Sequence, residues 1–456
     1  KRADKLSRPL ALYANLELGV ALSAALTPLL VFGGRKLYLA VGGSSVLGLS
    51  GATLVRLLLT VVVLGVPTFL MGGTLPAAAK SVSSASDARR RDVGTLYAVN
   101  TIGAVTGAFA ANFVLLEVFG TRMTLWIACL VNALVGMTAR AVSRRSATAQ
   151  NDAPAPQQAG SGSVLPANLR WFPSAAAAIA GFAFLLMELV WYRMLGPILG
   201  GSSYSFGLIL CVALLGIGIG GGIYSRFGQN RPATLAGFAW TCALEALCLM
   251  IPFAVGDGVA VATIILRGFG ALGFVGHVAV WTVVTSLVVL PAAIVSGYQF
   301  PLIIALFGKG DASLGRHVGI AYATNTVGSI AGSLAGGFGL IPLLSAPGCW
   351  RAVGGLLAAT ALATAMIAML VEQRRIAAML PAAVGALAAS LLLTPALPRR
   401  GDTVEWASEE AARSPRARGP TTSSSCSTLS DARSPGKPMV SRAPWRSPSA
   451  TDTRSS

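Results

Sequence analysis

Four polar residues recur as two matched pairs inside apolar, glycine-rich sequence: Tyr97 with Asn100, and Tyr322 with Asn325. The members of each pair are three positions apart, so helical periodicity places them on one face of a helix. In a membrane helix, such hydroxyl and amide groups either hydrogen-bond across a packed interface or line the cavity that holds a small-molecule substrate. The spacing leaves both interpretations open.

Two charged residues, Glu188 and Arg193, lie inside another apolar run, where a charge costs about 2.5–3.5 kcal/mol on insertion scales. Five positions apart, they point about 140° away from each other on a helix. Each is expected to find a partner on another helix, although Arg193 can also extend to the outer surface. Glu188 is a candidate proton or cation site, and the alternative is an interhelical structural contact. Glu17, Glu117 and Glu245 are weaker candidates of the same kind.

The composition predicts the elements that position these residues. The 456 residues are 54% hydrophobic and only 11% charged, against about 25% charged in soluble domains, and the mean hydropathy is +0.68. Apolar runs long enough to span a bilayer recur along the chain, which predicts an all-α polytopic membrane protein in contact with lipid. The net charge of +18 comes from basic residues between the runs. The positive-inside rule explains these residues without a nucleic-acid partner.

The chain contains an internal duplication at an offset of 225 residues. Nine of the 17 positions in 91–107 are identical to those in 316–332, including both Tyr–Asn pairs. Matched segments at a fixed offset indicate a repeat architecture. The offset also relates Gly72 and Pro76 to Gly297 and Pro301, and paired helix breaks are either ordinary kinks or pointers to a transporter site. The motif G-x-G-x-x-G at Gly216–Gly221 lies in an apolar run, which favours close helix packing over nucleotide binding.

About eleven transmembrane helices are predicted. They cover 10–32, 53–79, 94–118, 123–140, 174–199, 203–224, 232–255, 276–306, 318–344, 350–370 and 376–397. Alternate loops then carry 18 basic residues on one side and 8 on the other. This bias predicts a multi-pass protein of the cell membrane with a cytoplasmic N-terminus. The two repeats are six spans apart, so they are parallel in orientation, as in the major facilitator fold.

Five regions follow from these spans: a first membrane repeat at 1–140, a linker at 141–170, a second repeat at 171–375, an additional helix at 376–398 and a tail at 399–456. The linker is polar and is expected in the cytoplasm. The second repeat begins with two spans that the first repeat lacks, so two helices are expected to precede Lys1. The tail is rich in Ser, Arg and Pro, which predicts disorder, and a frameshifted or truncated reading is one explanation for its composition.

No enzymatic or metal-binding pattern is evident. The six cysteines, at Cys129, Cys211, Cys242, Cys248, Cys349 and Cys426, contain no C-x-x-C pair, and the two histidines have no metal-ligand spacing. We therefore predict no catalytic residue, no cofactor and no metal. A small-molecule substrate remains open as a partner, and the oligomeric state is not determined by these patterns.

Three motifs carry a resemblance to a known family. They are E-x-x-W-x-R at Glu188–Arg193, G-S-S-Y-S-F at Gly201–Phe206, and the doubled G-x-x-Y-A-x-N-T-x-G. Together they resemble the membrane part of bacterial fused spermidine-synthase-like proteins, over residues 6–397. The resemblance implies a major-facilitator-like membrane module joined to an aminopropyltransferase-like domain that binds decarboxylated S-adenosylmethionine. Nothing after Pro398 matches that catalytic domain, so no catalytic residue is carried over.

Three functional hypotheses follow. The first is the membrane module of a fused spermidine-synthase-like protein, without a catalytic domain in this chain. The second is a small-molecule transporter of the major facilitator type, and the third is a purely structural membrane anchor. In each case we expect Tyr97, Asn100, Tyr322 and Asn325 to lie across a shared interface, because lipid cannot satisfy an asparagine side chain.

Overall fold

The computed structural model describes residues 8–82, 91–149, 165–228, 233–308, 314–372 and 375–391. The tail at 399–456 and much of the 141–170 linker lie outside these ranges. Nearly all described residues are helical, and none of them forms a strand. The α-helices are α1 Pro9–Ala40, α2 Gly43–Val82, α3 Arg91–Ala110, α4 Leu116–Ala149, α5 Phe172–Leu195, α6 Ser203–Phe227, α7 Leu235–Ala254, α8 Gly256–Leu266, α9 Phe274–Leu306, α10 Leu314–Leu334, α11 Ile341–Val371 and α12 Arg375–Leu391.

Eight segments in the described part of the chain are long and apolar enough to cross a membrane. They are Pro9–Ala40, Gly43–Val82, Gly94–Arg145, Ala167–Leu195, Ser203–Phe227, Leu235–Ala254, Phe274–Leu306 and Leu314–Val371. The prediction of a helical multi-pass membrane protein is thus supported, whereas the number of eleven helices is not confirmed. Two of the eight segments, of 52 and 58 residues, are between two and three times the length that a bilayer requires.

Both of these long segments contain two irregularities of the helical backbone. A π-helical stretch covers Ala111–Leu115 in the first and Ala335–Leu340 in the second. A single non-helical residue then follows, Gly120 with φ 68° and Ser345 with φ 63°. Ser345 is the one non-glycine residue with positive φ among the described residues. A serine in this conformation is uncommon and strained, so the surrounding structure must hold it there.

Glycines in α6 allow two neighbouring helices to approach closely. Gly216 and Gly220 contact the backbone of α9 near Ala293 and Tyr298, with both helices running in the same direction. Gly218 and Gly221, on another face of α6, contact α3, which runs in the opposite direction. The glycine motif therefore acts as a packing surface on two sides of one helix, as small residues do in membrane proteins.

A third close contact joins α5 to α10, which run parallel. A Cβ atom at Gly328 would collide with the backbone of Ala178, and one at Gly332 would collide with that of Phe182. The matched glycines of α3, Gly103 and Gly107, have no such neighbour within 4 Å in the described structure. The two copies of the duplicated segment therefore have different neighbours.

The buried core lies mainly among the helices from α5 onward. Trp191, Met187 and Leu249 belong to its largest apolar cluster, in which the Trp350 indole N–H donates a 3.0 Å hydrogen bond to the carbonyl oxygen of Leu249. Helices α1–α4 instead leave many large apolar side chains exposed, Phe69 among them. Such extensive apolar exposure is typical of surfaces that face lipid or another apolar partner.

Candidate functional site

A small cavity lies where α3, α5, α6, α9 and α10 meet. Its volume is about 60 Å³, enough for a few water molecules. Four polar side chains contribute to its lining: Tyr97 from α3, Ser296 from α9, and Asn325 and Ser329 from α10. The remaining lining residues are apolar or glycine. The cavity therefore offers uncharged hydrogen-bonding groups in an otherwise apolar interior.

Three aromatic rings pack together beside this cavity, and two of them, Tyr97 and Phe300, line it. The ring of Phe300 lies between those of Tyr97 and Tyr322, with centroid distances of 4.9 Å and 5.8 Å. Phe300 is 6% exposed, and it belongs to an apolar cluster that also contains Leu75 of α2. Phe300 thereby connects the two tyrosines of the duplicated motif, which the sequence predicted to share an interface.

The two asparagines of the motif have different environments. Asn325 is partly buried beside Gly181 of α5, and the neighbouring Ser329 hydroxyl donates a 3.4 Å hydrogen bond to the Gly181 carbonyl oxygen. Asn100 is exposed, on the face of α3 where Gly103 and Gly107 have open space. The structure thus brings Tyr97, Tyr322 and Asn325 together and leaves Asn100 outside the cavity.

Glu188 and Arg193 both lie on α5. Glu188 is on the cavity-lining face of this helix, and Arg193 lies beyond that face. Glu188 is partly buried and comes one helical turn after Phe184 and Leu185, which line the cavity. Arg193 is exposed in the last turn of α5. No hydrogen bond or ion pair within the described chain joins these two side chains, in agreement with their different directions. The role of Glu188 as a proton or cation site stays a prediction.

A second set of polar side chains lies behind the cavity, between α7 and α9. Glu245 is 4% exposed and Gln299 is 1% exposed. The Gln299 side-chain Nε2 donates a 2.7 Å hydrogen bond to Glu245 Oε2. Ser296 lies one helical turn before Gln299, on the same face of α9. Because Ser296 lines the cavity as well, this face of α9 extends from the cavity to the Glu245–Gln299 pair.

Sequence reasoning underestimated this second group. Glu245 is only a weak candidate in the sequence, and the matched Gly297 and Pro301 draw attention to the backbone of α9 rather than to the side chains of Ser296 and Gln299. The available signal was their spacing, because positions three apart on α9 share a face. The sequence could have shown that this face of α9 is polar. It could not have shown that Gln299 pairs with Glu245 of α7, because the two residues are 54 positions apart in sequence and meet only when the helices pack.

The site offers hydroxyl and amide groups for hydrogen bonding, with one buried carboxyl group nearby. Among the described residues, no group of three or more His, Cys, Asp or Glu side chains is placed to hold a metal ion.

No protein-family model matches the chain, and no curated protein is similar to it.

Proposed function

We propose that the chain is a major-facilitator-like membrane module of two parallel repeats with a cytoplasmic N-terminus. The backbone irregularities support a duplication. Gly120 and Ser345 are 225 residues apart, as are Gly48 and Gly273, and all four have positive φ. If the breaks at Gly120 and Ser345 each separate two spans, the eight long segments become ten, and α12 supplies the eleventh.

Within this fold, we infer that the chain is the membrane module of a bacterial fused spermidine-synthase-like protein. We further infer that the module holds a small polar molecule between its repeats. The observation that carries this binding function is the convergence of Tyr97, Ser296, Asn325 and Ser329 on one cavity. Polar groups at an interface between repeats are typical of membrane proteins that bind small solutes. The family assignment depends on the sequence motifs.

The cavity size constrains the occupant. At about 60 Å³, the cavity holds water or a molecule of only a few heavy atoms. A linear polyamine requires the surrounding helices to separate. The lining contains hydroxyl and amide groups and no charged side chain, which favours a neutral hydrogen-bonding occupant in the closed form. Glu188, one turn beyond the lining, would meet a cationic occupant only after opening.

The second candidate function is transport, and the positions of two matched prolines inside α2 and α9 favour it. Pro76 of α2 lies beside Gly319 of α10, and Pro301 directly follows the cavity-lining Phe300. Each proline removes one backbone hydrogen bond from its helix, which makes bending less costly at that point. Helices interrupted by Pro or Gly in corresponding positions of the two repeats are a feature of secondary transporters.

Uptake by the reconstituted full chain distinguishes the two candidates. We expect proteoliposomes that contain it to accumulate radiolabelled putrescine and spermidine no faster than empty liposomes, because a binding module needs no alternating access. The Asn325→Ala variant and its repeat-matched control, Asn100→Ala, should give the same background. Accumulation by the wild type that is lost in Asn325→Ala and kept in Asn100→Ala would contradict the module function and establish transport through the cavity.

A further inference from the structure

We propose that Glu245 is a proton-binding site, which carries its proton in the closed form and exchanges it with the central cavity through Ser296. The proposal extends the proposed function, since it gives the cavity a proton to exchange. It depends on that function only in requiring water in the cavity. Protonation of Glu245 itself is independent of any bound solute.

The geometry of the Glu245–Gln299 pair provides the first argument. Gln299 donates a hydrogen bond from its Nε2 to Glu245. Its Oε1 is buried and has no hydrogen-bond partner among the described residues. A carboxylate has only acceptor oxygens, so it cannot satisfy this amide oxygen. A protonated carboxyl group has one O–H donor. It can donate to Gln299 Oε1 while it accepts from Nε2, which gives two hydrogen bonds between the same two side chains.

The surroundings of Glu245 provide the second argument, because they contain no nearby cation. On the helices that pack against α7, the basic side chains that the structure describes are Arg351 of α11 and His277 of α9. Arg351 lies over the Phe253 ring at 5.3 Å, and Phe253 is about 12 Å along α7 from Glu245. His277 is about 33 Å along α9 from Gln299. A buried carboxylate without a cation is strongly disfavoured, so the group is expected to be neutral.

The other titratable groups near this position are weak acids or lie at the ends of the helices. Cys242 and Cys248 flank Glu245 on α7, Tyr298 precedes Gln299 on α9, and Cys349 lies on α11. Glu372, which directly follows α11, accepts hydrogen bonds from the backbone at the start of α7, with its carboxylate oxygen 2.6 Å from Leu235 N. None of these groups supplies a positive charge to stabilise an ionised Glu245.

Ser296 provides the route for the proton. It lies one helical turn before Gln299 on the same face of α9, and it also lines the cavity. When the Glu245 O–H bond breaks, the electron pair stays on the carboxylate and the proton bonds to Ser296 Oγ. The original hydroxyl proton of Ser296 passes at the same time to a cavity water or to another base there. The hydroxyl group is thus regenerated, and the net change is the transfer of one proton to the cavity.

Infrared spectroscopy of the full chain in lipid tests the protonation. We expect the wild type at neutral pH to show the C=O stretching band of a protonated carboxyl group, shifted in D₂O. The band should be absent in Glu245→Gln and retained in Glu117→Gln, a control at an exposed carboxyl group that the Tyr204 hydroxyl contacts at 3.3 Å. Glu245→Gln should also fold, because its amide can donate to Gln299 Oε1. A wild-type spectrum without the band would overturn the proposal, even if Glu245→Gln failed to fold.

The exchange route has its own test in Ser296→Ala. This variant should retain the band but slow its hydrogen–deuterium exchange by about tenfold. A factor of this size is expected when one hydrogen bond is removed from the transfer path. The matched control is Ser225→Ala, because the Ser225 hydroxyl donates to the Gly222 carbonyl oxygen within α6 and does not line the cavity. It should leave the exchange rate unchanged. Equal exchange rates in the wild type and Ser296→Ala would refute Ser296 as the route.

Discussion

Replacement of Phe300 by alanine is expected to lower the free energy of unfolding by about 3 kcal/mol, near the lower end of the usual Phe→Ala range. The lower end applies because lipid weakens the hydrophobic part of the loss, whereas the packing part remains. The substitution removes the ring between Tyr97 and Tyr322 and leaves a void beside the central cavity. Unfolding of the reconstituted protein by a denaturing detergent provides the measurement.

Phe69→Ala is the matched control for this experiment. Phe69 lies on α2 and is 84% exposed, whereas Phe300 is 6% exposed. The same truncation at Phe69 removes few protein contacts, so the free energy of unfolding should change by less than about 1 kcal/mol. Equal losses at the two positions would mean that Phe300 does not connect α3, α9 and α10 as the structure indicates.

The second large effect is expected at Gly220, where α6 crosses α9. A Cβ atom there would collide with the carbonyl oxygen of Ile294, a backbone atom that cannot move without its helix. Gly220→Ala should therefore separate α6 from α9 and lower the free energy of unfolding by about 1–3 kcal/mol. A thermal-unfolding assay in detergent should show the corresponding decrease in Tm.

Gly222, two residues further along the same helix, provides the control. A Cβ atom at Gly222 has no neighbour within 4 Å, so Gly222→Ala adds a methyl group in open space. Alanine is also favoured over glycine within a helix by about 0.5–1 kcal/mol. We expect Gly222→Ala to leave Tm unchanged or slightly raised. A decrease as large as that of Gly220→Ala would show that helix propensity or lipid contact, rather than the α6–α9 approach, determines the result.

Local sequence patterns were sufficient to predict the helical membrane fold and the packing role of the α6 glycines. Apolar runs specify membrane helices because the bilayer imposes the same length and polarity requirement on every span. Glycines spaced along one run specify close packing because few other residues permit it. These predictions need no knowledge of which helices become neighbours.

The differences within the duplicated motif could not be predicted in the same way. Asn100 and Asn325 occupy equivalent positions in nearly identical sequences, yet Asn325 lies beside Gly181 and Asn100 is exposed. The difference arises because α5 packs on α10, and no described helix packs in the same way on α3. The environment of a side chain on a membrane helix depends on its neighbouring helices, which a single helical segment does not encode.

The Glu245–Gln299 pair illustrates the same limit. The sequence shows one acidic residue in an apolar run and one amide residue near a proline 54 positions later. Their hydrogen bond requires particular rotations of α7 and α9 about their axes, and these rotations depend on packing across the whole bundle. A polar residue in an apolar run can therefore be recognised from sequence, but its partner cannot.

Thiol labelling of position 325 tests most directly whether the central cavity is a polar, water-accessible site. In a cysteine-free background, Asn325→Cys should react with a membrane-impermeant maleimide. Leu287→Cys, on the exposed face of α9, should react only with a lipid-soluble reagent. Reagent applied separately to the two sides of the membrane also identifies the face to which the cavity opens, and we expect the cytoplasmic face. Reaction of Asn325→Cys with the lipid-soluble reagent alone, as for Leu287→Cys, would contradict a water-accessible binding site between the repeats.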